Sequence, residues 1–252
     1  MYAEQRQRRI VELARSAGLV GVAALAAVFA VTAETVRRDL TALERLGLLR
    51  RVHGGAIPVE RLAFEPGLAA RDAVMTEQKE RIAKAALSEL PTEGSVLLDA
   101  GTTTARLAEL LPGDRDLTVV TNALPIALTL VRPGLTVRML GGRVRGRTMA
   151  AVDDWALRSL REVYVDVAFV GANGVSVDRG LTTPDPAEAA VKRAMVGAAR
   201  RVVVLADHTK VGAEHFARFG DLEDVDVLIT DAGLDTAETA RLETAGVEVV
   251  RA

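Results

Sequence analysis

Four segments of the 252-residue chain carry side chains whose type and spacing suit an anion. In TAETVRRDLTALERLGLLRRVHGG, residues 32–55, helical spacing turns Val36, Leu40 and Leu43 inward and Glu34, Arg37, Arg38, Thr41 and Arg45 outward. Thr32 stands where an N-cap belongs, and Thr35, in the first turn, can sit beside a phosphate. An arginine fork grips guanine edges or phosphates through two contacts. Arg51 and His53, just beyond, can reach an adjacent minor groove or backbone. A solvated amphipathic helix with a basic end is the simpler account of the arginines alone.

The second segment, LLDAGTTTARLAELL, reads as a strand, a tight turn at Gly101 and a helix opening on Thr102, Thr103 and Thr104. Amides at that helix start and the three hydroxyls make a phosphate cradle. Threonine is also a common cap, so the pattern alone is weak, and no Gly-Lys-Ser/Thr follows to make a Walker loop. In GLTTPDPAEAAVKRAM, Asp185, Glu188 and Lys192 fall along one helix face, where a Glu188–Lys192 salt bridge is the simpler account. Lysine is nevertheless rare here: of 32 basic residues only Lys79, Lys84, Lys192 and Lys210 are not arginine. Lys192 and Lys210 therefore stand out as compact charges for a phosphate or a sugar hydroxyl. The fourth segment, VVVLADHTKVG, ends a strand in Asp207, followed by His208, Thr209 and Lys210. Asp99, Asn122, Gly141, Gly142, Asn173 and Asp207 all take such strand-end positions, which in open α/β sheets form one ligand-binding rim. His208 by itself reads as an ordinary loop histidine.

Catalysis finds little support. Without cysteine there is no disulfide, thiolate metal site or cysteine nucleophile, which fits a reducing compartment. His53, His208 and His215 lie in no metal-ligand pattern, and neither Gly-x-Ser-x-Gly nor Gly-x-Gly-x-x-Gly occurs. No metal, no cofactor and no enzyme activity are expected. A sugar-phosphate isomerase-like enzyme with a basic N-terminal appendage is the alternative, with Asp185, Glu188 or Lys192 moving the proton.

These side chains need two kinds of scaffold. Helices over residues 4–16 (Ile10, Leu13, Ala14), Val22–Phe29 (Leu25, Val28, Phe29) and from Ala33 to Gly47 precede LLRRVHGG, the arm of a small β-hairpin. Residues 1–56 are thus expected to be a winged helix-turn-helix, and 57–76, with Pro58, Pro66 and Gly67, a linker. Over 77–252, strands SVLLDAG, LTVVTN, LTVRMLGG, VDVAFVGANG, RVVVLAD and VDVLITD and a C-terminal strand alternate with helices, among them PAEAAVKRAMVGAAR. Near-continuous apolar strands between helices predict a largely parallel sheet covered on both faces. Residues 1–55 carry nine arginines against five acidic residues, a net of +4, whereas the rest carries −6. A polyanion-binding module attached to an acidic domain follows. RQRRIVELARSAGLVGVAALAAVFAVTA imitates a secretory signal, but Glu4, Glu12, Gly18 and Gly21 interrupt it, and no stretch suits a membrane span. The chain reads as cytoplasmic.

The segment AETVRRDLTALERLGLLRRVHGGA resembles the helix-turn-helix and wing of the DeoR family of bacterial transcriptional regulators, through Thr35, Val36, Arg37, Arg38, Asp39 and Leu40 and through RVHGGA. The resemblance implies a double-stranded DNA operator as partner and a structural role for Asp39, bridged to a basic neighbour. DAGTTT, TN, LGG, GANGV, GLTTPDPAEAAVKRAM and LADHTKVG resemble the effector domain of the same family, similar in fold to ribose-5-phosphate isomerase. A sugar-phosphate effector is implied, with its phosphate on Gly101 and Thr102–Thr104. Hydroxyl contacts then fall to Asp99, Asn122, Asp185, Glu188 and Lys192, and Lys210 closes the pocket. VDDWALRSL departs from the family, which often has Gly-Pro where this chain has Asp153 and Asp154, so the approach to that helix is left open. The expected protein is a sequence-specific repressor of a sugar-metabolism operon, a homodimer or homotetramer because symmetric half-sites multiply specificity.

Overall fold

A computed structural model describes residues 3–17, 19–52, 54–58, 65, 67–131 and 134–252. The chain divides into two compact units, residues 1–70 and 71–252.

In the first unit α1 (Ala3–Ala17), α2 (Val22–Phe29) and α3 (Ala33–Arg45) enclose Ile10, Ala14, Leu25, Val36, Leu40 and Leu43. The strands β1 (Val20–Gly21), β2 (Leu49–Val52) and β3 (Gly55–Pro58) pair antiparallel in the order β1-β3-β2. Sequence periodicity misses β1, which is two residues long. Its partner Gly55 has to be glycine, because a Cβ there would lie 2.1 Å from the Val20 carbonyl oxygen. Ala30, at φ 52°, turns the chain out of α2, and Thr32 caps α3, its Oγ1 accepting from the Thr35 amide at 3.2 Å. Val28 is not on the inner face with Leu25 and Phe29: it is 65% exposed. The buried arc of this short helix runs through Val22, Leu25, Ala26 and Phe29 and leaves Val28 beyond its edge.

Asp39, in the second turn of α3, is buried and structural. Its carboxylate accepts Arg6 Nε at 2.5 Å and Nη2 at 3.2 Å, and Gln7 Nε2 at 2.9 Å, all from α1. The basic neighbour is 33 residues away in the chain.

The second unit begins within α4 (Leu68–Asp72), which lies inside the segment expected as linker, and continues with α5 (Thr76–Ala86). There follow β4 (Glu93–Leu98), α6 (Thr102–Leu110), β5 (Asp116–Thr121), α7 (Leu124–Leu130) and β6 (Thr136–Met139). Next come the hairpin β7 (Arg143–Arg145) and β8 (Ala150–Val152), α8 (Asp154–Arg161), β9 (Val165–Gly171), β10 (Gly174–Ser176) and β11 (Gly180–Thr183). The chain closes with α9 (Pro186–Gly197), β12 (Ala199–Leu205), β13 (Ala217–Gly220), β14 (Val227–Thr230), α10 (Thr236–Thr244) and β15 (Glu248–Arg251). Seven strands form one sheet in the order β15-β14-β12-β9-β4-β5-β6, with every pairing parallel. Both faces are covered: Val96 and Leu98 enter one layer with Ile82 and Leu107, and Leu97 enters the other with Val191 and Met195. Chain direction across the sheet reverses between β4 and β9, so the topological switch lies there.

Two details differ from the sequence reading, and a third supplies what it left open. The hairpin β7/β8 and the antiparallel sheet β10-β11-β13 were not expected, since three- and four-residue strands are too short to show alternation. α9 ends at Gly197 rather than Arg200, because Ala199 and Arg201 pair with Val165 and Val167 of β9. The approach to α8 is made by Asp153 at φ 74°, a conformation that favours glycine, with its carboxylate 2.7 Å from Arg143 Nε.

Asp39→Ala should lower the stability of the first unit by about 3 kcal/mol, because it leaves the Arg6 guanidinium buried without its partner. Arg6→Met combined with Asp39→Leu should recover most of the loss in urea denaturation. A single substitution within about 0.5 kcal/mol of wild type would contradict a buried pair.

Candidate functional site

The first unit presents an open groove of about 440 Å³ between the outer face of α3 and β2, lined by Glu34, Arg37, Arg38, Thr41 and Arg51 among others. Arg51 joins the two elements: its amide donates to Glu44 Oε1 at 2.9 Å and its Nη1 to Thr41 Oγ1 at 3.2 Å. Arg37 and Arg38 stand outward beside Glu34, at 3.5 and 3.7 Å, with all three side chains more than half exposed. Such exposed pairs contribute little and release readily to a stronger anion. The Thr32 hydroxyl is engaged as the cap and leans on the Thr35 hydroxyl at 2.9 Å. His53 lies outside the described residues.

In the second unit the predicted strand-end residues gather at the carboxyl edge of the parallel sheet. Asp99 follows β4 at the topological switch and is buried. Its Oδ2 accepts the Gly171 amide at 3.0 Å and pairs with Lys192 Nζ, which also donates to the Gly171 carbonyl at 2.8 Å. Burial pushes the Asp99 carboxyl up, against the pull of the Lys192 ammonium and the Gly171 amide. Glu188 does not bridge to Lys192. Its Oε1 takes Arg145 Nη1 at 3.0 Å and the Thr148 hydroxyl, while Arg145 Nε meets Asp185 at 3.0 Å. Asp185 also caps α9 through the amides of Ala187 and Glu188.

Several predicted contact residues are engaged with backbone. Asn122 Oδ1 accepts the Ala100 amide at 3.1 Å and its Nδ2 donates to the Ala151 carbonyl at 3.3 Å. Asp207 Oδ1 accepts the amide and hydroxyl of Thr209. Gly142, at φ 136°, passes so close to Val152 that a Cβ would lie 2.5 Å from its carbonyl oxygen. Asn173 accepts the Thr183 hydroxyl at 3.0 Å.

The start of α6 is different. Gly101 supplies no side chain to cap the first-turn amides. Thr104 is fully buried and donates to the Gly101 carbonyl at 3.0 Å, so it is a structural member of the turn. Thr102 and Thr103 are each 8% exposed, and their hydroxyls bond to nothing among the described residues. The Lys210 ammonium likewise has no hydrogen-bond partner among them.

Four participants were not singled out from sequence. Arg145 and Arg106 are two of 28 arginines and carry no signal of their own. Asp231 follows β14 as the other rim residues follow their strands; it accepts the His208 amide at 2.9 Å and lies 2.8 Å from its Nδ1. Burial pushes its carboxyl up, but these bonds and the Gly233 amide outweigh that and hold it below the usual carboxylate range. Lys79, on α5, shares the rarity that drew attention to Lys192 and Lys210. It is 5% exposed, and burial pushes its ammonium down to about 8, with Asp207 opposing the shift and Lys210 and Arg106 adding to it. Among the described residues no three histidine and acidic side chains gather as metal ligands, and no helix is long and apolar enough to cross a membrane.

A wing tied to an arginine-bearing helix defines a DNA-binding protein of the winged helix-turn-helix type. Residues 6–61 match the DeoR-like helix-turn-helix domain and residues 74–232 the DeoR C terminal sensor domain. The chain is 38% identical over 250 residues to the HTH-type transcriptional regulator GlpR of Haloferax volcanii, covering 99% of this chain and 98% of that one. It is 33% identical to the glycerol-3-phosphate regulon repressor of Escherichia coli, over 92% of each. Among solved structures, ribose 5 phosphate isomerase A from Neisseria gonorrhoeae aligns at a TM-score of 0.39, with 20% identity over 56% of this chain and 54% of that one. The chain belongs to the DeoR family of transcriptional regulators, and its relatives are named as regulators rather than enzymes.

Because the folded pKa of Lys79 lies below its ordinary 10.5, the unfolded chain takes up this proton first as pH falls. The stability penalty is complete below about pH 8 and fades as pH rises toward 10.5. Between pH 8 and 10 the wild type should therefore gain stability relative to Lys79→Met, by at most about 1.4 kcal/mol per pH unit. Parallel urea-denaturation curves for the two proteins would mean that Lys79 titrates as an ordinary surface lysine.

Proposed function

We propose that this regulator represses a sugar-metabolism operon and that its operator affinity is controlled by a phosphorylated sugar or polyol held at the carboxyl rim of the parallel sheet. The observation that carries this reading is the start of α6. It combines uncapped first-turn amides with the hydroxyls of two nearly buried threonines, which lack partners among the described residues, at the edge where α/β sheets bind ligands. The phosphate sits on Gly101, Thr102 and Thr103, with Lys210 as a counter-charge. Hydroxyl groups meet the network of Asp99, Asp185, Glu188, Lys192 and Arg145. A relative named for glycerol 3-phosphate is in keeping with a small phosphorylated effector. DNA is gripped by Arg37, Arg38, Thr35, Thr41 and Arg51 in a homodimer or homotetramer acting in the cytoplasm, since two-fold symmetric half-sites multiply the specificity of one helix in one groove.

The test is a fluorescence-anisotropy titration on DNA from upstream of the protein's own gene, at two salt concentrations, with glycerol 3-phosphate, ribose 5-phosphate and fructose 6-phosphate. Binding should weaken steeply with salt, and one effector should shift the operator Kd by roughly 5- to 150-fold. Arg37→Ala or Arg38→Ala should weaken specific binding about tenfold or more. Affinity within about twofold of wild type in both variants would remove α3 from the interface.

A further inference from the structure

The chain enters the second unit through a segment that Lys79 of α5 and Arg106 of α6 both hold. Lys79 Nζ donates to the carbonyls of Arg71 and Val74, the latter at 2.6 Å, and so fixes the backbone on both sides of Asp72. Arg106, on α6, donates from Nη1 to Asp72 Oδ1 at 2.5 Å and to the Thr102 carbonyl at 3.1 Å. One guanidinium therefore touches the first turn of α6 and the entering segment together. Met75, next in the chain after Val74, is held at φ 58°, a left-handed conformation that costs a non-glycine residue about 1 kcal/mol. Lys79 also lies in the field of Asp207 and Lys210 at the end of β12.

We propose that Lys79 and Arg106 form a clamp on the Arg71–Val74 segment that leads to the DNA-binding unit, and that an anion at the first turn of α6 opens the Arg106 side of it. The inference rests on the effector site assigned above. A phosphomonoester brings a charge of about −1.5 to −2 at pH 7 and three acceptor oxygens, whereas Asp72 brings one charge on a side chain that is half exposed. The phosphate outcompetes Asp72 for Arg106 and draws on the same positive field as Lys79. The segment then loses its tie to α6, and the strain at Met75 favours its relaxation.

Asp72→Asn, in the full chain, removes the competing charge and leaves only a neutral amide oxygen for Arg106. Its effector affinity should rise about threefold, while the ratio of operator Kd with and without saturating effector should shrink about threefold or more. Asp72→Glu should restore the ratio. In wild-type protein the same effector should speed hydrogen exchange of amides 71–75 about tenfold. An undiminished ratio in Asp72→Asn, or unchanged exchange over 71–75, overturns the clamp while leaving the effector site intact. If glycerol 3-phosphate, ribose 5-phosphate and fructose 6-phosphate all leave the wild-type operator Kd unmoved, the effector assignment fails and the clamp falls with it.

Discussion

The second unit is organised around one buried ion pair, Asp99 with Lys192. It lies where β4 and β9 diverge, at the point where a parallel sheet leaves strand-end backbone groups in need of partners. The carboxylate takes the Gly171 amide and the ammonium takes the Gly171 carbonyl, so both polar groups of one strand-end residue are satisfied by one pair of side chains. Lys192 also stands 5.5 Å from the centre of the Phe219 ring, which ties β13 to the same point. Replacing a buried pair by well-packed apolar residues is often neutral for stability. What this pair fixes is the placement of α9 against the sheet. Through α9 it also places Asp185 and Glu188, which in turn hold Arg145 and the hairpin β7/β8.

The same logic governs the first unit at smaller scale. Arg6 and Gln7 of α1 hold the carboxylate of Asp39 and thereby fix the roll of α3 about its axis. Asp39 is the inward-facing member of a turn whose outward members are Arg37, Arg38 and Thr41. The buried acidic group and the exposed arginines are consequences of one helical phase, set by Val36, Leu40 and Leu43.

What the sequence made legible follows from the range of each interaction. The central strands β4, β9, β12 and β14 carry buried runs of Val, Leu and Ile and announce themselves by them, and α3 is bounded by a threonine cap and Gly47. Side-chain partners are another matter. Glu188 and Lys192, four apart on one helix, suggest each other, yet their partners lie 43 and 93 residues away, at Arg145 and Asp99. Desolvation decides between these alternatives, because burial favours a partner that closes off the charge from water, and no local spacing encodes burial. Asn122 and Thr104 look like ligand groups by position and also serve the scaffold, since both are hydrogen-bonded to the adjacent backbone. Lys79 was within reach of the rarity argument, but its place on the first helix of the unit, far from any strand end in sequence, gave no reason to group it with Lys210.

The rim residues thus fall into two populations, and the division bears on how a ligand is read. Asp99, Asp185, Glu188 and Asp207 already hold charged or backbone donors, so a sugar hydroxyl reaching them has to displace a charge-assisted bond or share an acceptor. Thr102, Thr103 and the first-turn amides of α6 have no such prior claim among the described residues. An anion at the α6 turn therefore gains these amides and hydroxyls without breaking other bonds to them, and only Arg106 has to leave Asp72, whereas the hydroxyl contacts carry a cost that only a well-placed set of groups offsets. On the reading proposed here the phosphate provides affinity that is largely indifferent to the rest of the molecule. Discrimination among phosphorylated ligands then falls to the carboxylates held by Arg145 and Lys192, where a misplaced hydroxyl leaves a buried charge poorly paired.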